Sequence, residues 1–174
     1  HFGTGPITVG EAATDKAGIF FATANQTFSN PIIANTGLGT DRVGTIRVAT
    51  TGIVLTGTLT ANLADFTFST NETGSITATG KITGTNGVKL LSHTLGGTAL
   101  TVTLSNAAQD NEYAGNTTIN ENPQVGRPYA LNLGAAEQIP HGAGKGNVTV
   151  NTNGTGIGTL NLVAFSEPIN GLNG

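Results

Sequence analysis

Apolar and polar residues alternate with a period of two along much of this chain, the pattern of half-buried β-strands. Thr45-Ile46-Arg47-Val48-Ala49 is a clean case. The rhythm returns over 58–63, 65–69, 75–79, 81–83, 100–104, 130–133, 147–151 and 159–163. Turn signals divide these runs: Asn71-Glu72-Thr73-Gly74, Asn86-Gly87, Gly96-Gly97 and Asn153-Gly154. Asn86-Gly87 has the composition of a type I′ hairpin turn, so strands near 76–83 and 88–91 are expected to pair directly. No long stretch keeps a 3.6-residue period. Glu11–Lys16 predicts one short turn, and the polar stretch 106–128 predicts a loop. Short, regularly spaced strands with one wet face predict an all-β fold: a single antiparallel β-sandwich, jelly-roll or Ig-like.

The pattern also suggests a boundary near residue 10. Ile7-Thr8-Val9 follows Pro6 in a Gly-rich chain end. Residues 1–10 are an N-terminal extension and 11–174 the sandwich domain. The extension either completes the chain's own sheet or leaves it as a donor strand for a neighbour. In the second case Ile7 and Val9 are inward-facing knobs and Phe2 an extra anchor. Residues 169–174 are the lesser candidate for exchange, being short and broken by Asn and Gly.

Composition sharpens this picture. Charged residues are 10% of the chain, against about 25% in an ordinary soluble domain. With 37% apolar residues, the chain has enough to bury and is expected to fold. The basic residues are scattered and the net charge is −3, which excludes the clustered positive surface that nucleic acid requires. There is no cysteine, so disulfides, zinc–thiolate and iron–sulfur sites are excluded. No segment has the roughly 20 predominantly apolar residues of a membrane-spanning helix. A chain that begins at His1 reads as processed by removal of a secretory signal, which predicts an extracellular protein. Five Asn-x-Ser/Thr sequons, at Asn25, Asn71, Asn116, Asn147 and Asn153, are candidate glycosylation sites.

Candidate chemistry is thin, and no catalytic residue is assigned. His1 with His93 or His141 forms the minimal set for a copper brace, without the disulfides and aromatic face usual in polysaccharide monooxygenases. Ser92 beside His93 is adjacency in sequence and not a triad. Gly37-Leu38-Gly39 lacks the lysine and strand–loop–helix context of a nucleotide loop. Calcium is the one metal the residues suggest: Asn106, Asp110, Glu112 and Asn116 carry several oxygens within one polar segment, although the spacing is not that of an EF-hand. Tyr113 and Tyr129 flank that segment and are the candidates for stacking on a sugar.

The stretch 44–52, followed by Gly57-Thr58-Leu59-Thr60, resembles the early strands of TasA-type biofilm fibres, archaeal bundling pili and cannulae. Leu131–Ala136, Ile139–Gly144 and Asn147–Val150 are similar to the closing pattern of chaperone–usher and spore-coat-U subunits. The resemblance covers about a third of the chain. It implies a structural, non-enzymatic subunit of an extracellular filament that polymerises by donor-strand exchange between identical copies and supports adhesion or biofilm, with other cells or surface glycans as further partners. A secreted monomeric adhesin or carbohydrate-binding module is the alternative.

Overall fold

The computed structural model describes residues 3–36, 44–91, 99–121 and 126–174. Among them there are strands and no helix. The strands are not arranged as a sandwich. They coil as a parallel β-solenoid of about six turns, each contributing one strand to each of up to three sheets.

The first turn holds β1 (Ile7–Val9), β2 (Ile19–Phe21) and β3 (Thr27–Phe28). The second holds β4 (Ile32–Ala34), β5 (Ile46–Val48) and β6 (Ile53–Leu55), and the third β7 (Leu59–Ala61), β8 (Phe66–Thr70) and β9 (Gly74–Ala78). The fourth holds β10 (Ile82–Gly84), β11 (Val88–Leu91) and β12 (Leu100–Leu104). The later turns contribute β13 (Thr117–Glu121), β14 (Tyr129–Leu133), β15 (Val148–Val150), β16 (Thr152–Asn153), β17 (Gly156–Asn161) and β18 (Leu172–Asn173). One sheet has the order β1-β4-β7-β10, the second β18-β15-β13-β11-β8-β5-β2, and the third β16-β17-β14-β12-β9-β6-β3.

The expected antiparallel β-sandwich, jelly-roll or Ig-like fold is therefore corrected. Among the described residues every strand pair is parallel except β16–β17. A parallel pair needs a long connection, and here the other two sides of the turn provide it. Alternation is the same in both architectures, because a coil also buries one face of most strands and leaves the other less covered; β8 and β13 are exceptions, buried on both faces along most of their length. Ile53, Leu55, Ile76, Ala78, Val102 and Leu104 point in, while Val54, Thr77 and Thr103 lie on the half-exposed outer side.

The Asn86-Gly87 hairpin is corrected as well. β10 pairs with β7, and β11 pairs with β8 and β13, so the dipeptide turns a corner between two sheets. Gly87, Gly115 and Gly146 stack at this corner. A Cβ on Gly87 would lie 2.1 Å from the Asn116 carbonyl oxygen, one on Gly115 2.3 Å from the Gly87 nitrogen, and one on Gly146 2.5 Å from the Asn116 nitrogen. The glycine is selected by close backbone approach, not by turn type. The two-stranded hairpin that does form is β16–β17, around Asn153-Gly154, with Gly154 at φ +58°.

Side chains repeat from turn to turn at equivalent positions. The Asn62 amide donates to Asn35 Oδ1 at 2.7 Å, and the Asn86 amide donates to the Asn62 carbonyl. The core is one continuous apolar column that includes Ile32, Ile46, Leu59, Phe66, Phe68, Leu90, Val102, Leu131 and Leu133. The stretch 106–128, expected as loop, contains β13, whose side chains Thr117, Thr118, Ile119 and Asn120 are buried. Glu11–Lys16 makes the expected turn, with the Asp15 N–H donating to the Ala12 carbonyl at 3.1 Å.

Candidate functional site

The densest polar constellation among the described residues lies where 106–112, 136–145 and Glu167 stack in successive turns. Asn106 and Gln138 are both buried and bond reciprocally. The Asn106 N–H donates to Gln138 Oε1 at 2.8 Å, and the Gln138 amide donates to the Asn106 carbonyl at 3.1 Å. Glu167 extends the stack by one turn, accepting the Gln138 N–H at 3.0 Å and the Ile139 N–H at 2.5 Å. Asn111 joins from below: its Oδ1 accepts the Ile82 N–H at 2.8 Å, and its amide donates to the Gln138 carbonyl at 3.0 Å. Each bond satisfies a backbone group at a corner where no strand ladder does so.

The four calcium candidates fall into this setting. Asn106 donates its amide N–H to Asp110 Oδ1 at 2.7 Å, while its own Oδ1 accepts the Ala108 N–H at 3.1 Å. Asp110 and Glu112 share Lys81 Nζ, at 3.4 and 3.1 Å. Asn116 is engaged elsewhere, accepting the Asn147 N–H at 2.9 Å. The arrangement brings Asp110 and Glu112 to one lysine, with Asn106 bonded to Asp110, and leaves Asn116 at the next corner. Among the described residues no three His, Cys, Asp or Glu side chains gather as a metal site.

Two carboxyls here are shifted from their ordinary values in opposite directions. The Asn106 amide above all holds Asp110 below its ordinary value, against an opposing effect of burial and with further help from Lys81. Its contribution is present above the ordinary Asp range and is lost as pH falls through the depressed value. The stability difference between wild type and Asp110→Asn, read from urea midpoints, is expected to shrink from neutral pH to about 3. Burial raises Glu167 in spite of its two N–H donors. The folded state thus takes up a proton there above the ordinary Glu range, and this group's contribution grows as pH falls through the raised value.

A shallow pocket of about 140 Å³ opens beside the network, lined by Gln109, Asn111, Glu137, Ile139, Pro140, His141 and Lys145. His141 Nδ1 lies 3.4 Å from Glu137, and Lys145 Nζ donates to the Glu112 carbonyl at 2.7 Å. The lining has no Phe, Tyr or Trp ring. Tyr113 and Tyr129, the candidates for sugar stacking, are instead core residues, 1% and 0% exposed. The Tyr113 hydroxyl bonds Thr117 Oγ1 at 2.6 Å, and burial pushes its pKa well up.

His1, Phe2, Ser92, His93 and Gly37-Leu38-Gly39 lie outside the described residues. Ile7 and Val9 point inward from β1, which pairs with β4 of the same chain and is the outer strand of its sheet among the described residues. Of the sequons, Asn25, Asn116, Asn147 and Asn153 are exposed. Asn71 is half-buried, with its Oδ1 shielded.

Sequence reasoning missed the two ends of the coil. The partly buried apolar residues packed on the core are Ile7, Ala17, Ile19 and Phe28 in the first turn, and Val150, Leu160 and Ile169 in the last turns. Ile157, Leu162, Val163, Phe165 and Leu172 of the last turns are exposed. Among the described residues the core is closed through the middle turns and more exposed in the first and last turns. The signal in the sequence is an absence of charge over 17–28 and 156–166. Among the described residues no helix is long and apolar enough to cross a membrane. No protein-family model, curated protein or solved structure matches the chain.

Proposed function

We propose that the chain is a structural element of an extracellular filament (a pilus, thread or tube) that grows by β-strand addition between identical neighbours and supports adhesion or biofilm. The observation that carries this reading is the solenoid with a closed middle and apolar, open-edged ends. A solenoid end normally needs a polar cap for solubility, and an uncovered strand edge is a template for pairing. The mechanism differs from exchange into an incomplete sandwich. Each turn already lies on its neighbour along the coil, and a further coil added at either end continues the same ladders.

Negative-stain electron microscopy of the purified chain over a concentration series tests this. Uniform filaments one solenoid wide are expected as concentration rises. Dispersed short rods at every concentration would overturn the reading.

A further inference from the structure

We propose that the last turn docks the first turn of a second copy of this chain, head to tail and in parallel register, through β18 of one copy and the segment 17–21 of the next, which runs from Ala17 into β2; this rests on the filament reading above. The two edges belong to the same sheet. β18 and β2 are its opposite outer strands, and all seven strands run the same way. Addition of the segment that leads into β2 to the free edge of β18 therefore preserves strand direction.

The register follows from the inward column. Leu172 lies over Val148, Val148 over Thr117, Thr117 over Val88 and Val88 over Phe66. Ile19 stacks on Ile46 and Ile46 on Phe68, so the position two residues earlier in the first turn, Ala17, begins the column that Leu172 ends. Leu172 is 64% exposed and Ala17 half-buried. Stacking Leu172 on the next copy's Ala17 covers a large apolar side chain with a small one on the facing edge. Neither segment carries a charge that would resist burial: 17–28 and 168–174 contain no Asp, Glu, Lys or Arg. The third sheet cannot accept a strand along its whole end, because β16 already pairs with the first half of β17. The contact is heterologous and does not close on itself, so it propagates.

The chain has no cysteine, which makes a directed cross-link clean. Ala17→Cys and Leu172→Cys copies are mixed under mild oxidation, and Leu172→Lys is followed by sedimentation, with circular dichroism confirming that each variant folds. A disulfide-linked pair is expected in the mixture, and Leu172→Lys is expected to weaken association at least tenfold. A linked pair formed by Leu172→Cys alone would mean that the ends meet tail to tail and would overturn the proposed docking. Assemblies that survive Leu172→Lys without the mixed cross-link would overturn this interface and leave the filament reading standing. Monomers of the unaltered chain at every concentration would overturn both.

Discussion

Gly87→Ala is expected to destabilise the fold by roughly 3 kcal/mol, seen as a lower urea midpoint. The methyl group would enter at 2.1 Å from the Asn116 oxygen and 2.8 Å from its nitrogen. Both atoms are backbone, and the turn above is held by the Val88 N–H donating to that carbonyl at 3.0 Å. No side chain can rotate away, so relief requires the turns to separate at this corner. Gly115 and Gly146 continue the same stack, and the displacement would pass along it. Gly5→Ala is the control, because nothing lies within 4 Å of a Cβ there. A Gly87→Ala midpoint equal to that of the control would show that the corner is looser than described.

Phe68→Ala is expected to cost about 3–5 kcal/mol. Phe68 is 0% exposed, lies between Ile46 of the turn before and Leu90 of the turn after, and meets the Phe66 ring at 5.2 Å. Truncation leaves a cavity between turns that cannot collapse without shortening two ladders. In a solenoid each turn touches only its neighbours, so stability is approximately a chain of nearest-neighbour couplings. Weakening a middle coupling should also broaden the urea transition, because the two halves then unfold less cooperatively. Leu172→Ala at the open end should change stability by about 0.5 kcal/mol or less. Equal losses at the two positions would contradict a stack of independent couplings.

The strands themselves were largely legible. Ile46–Val48, Leu100–Leu104, Tyr129–Leu133 and Val148–Val150 lie in runs whose alternation stands out, and nearly all of that alternation is inward and outward in the structure. Pairing was not legible. Turn length varies from the 22 positions between Ile46 and Phe68 to the 31 between Thr117 and Val148, which hides the repeat that would have announced a coil. Asn86-Gly87 misled because close approach of stacked backbones selects glycine as strongly as a hairpin turn does. The polar segment 106–116 was visible as a cluster of oxygens. Its partners Gln138 and Glu167, 32 and 29 positions further on along the bonds, were not.

By itself the amino-acid sequence determined that this is an all-β chain with one alternating face to bury, too little charge to guard its edges, and no thiol chemistry. Those properties are local: period, propensity and composition act within a strand or a turn. Only the tertiary structure decided that the strands run parallel, that Tyr113 and Tyr129 are core, and that Asp110 and Glu112 share Lys81. A β-strand satisfies its backbone equally with a parallel or an antiparallel neighbour. The choice rests on contacts between residues more than twenty positions apart, which no local pattern encodes.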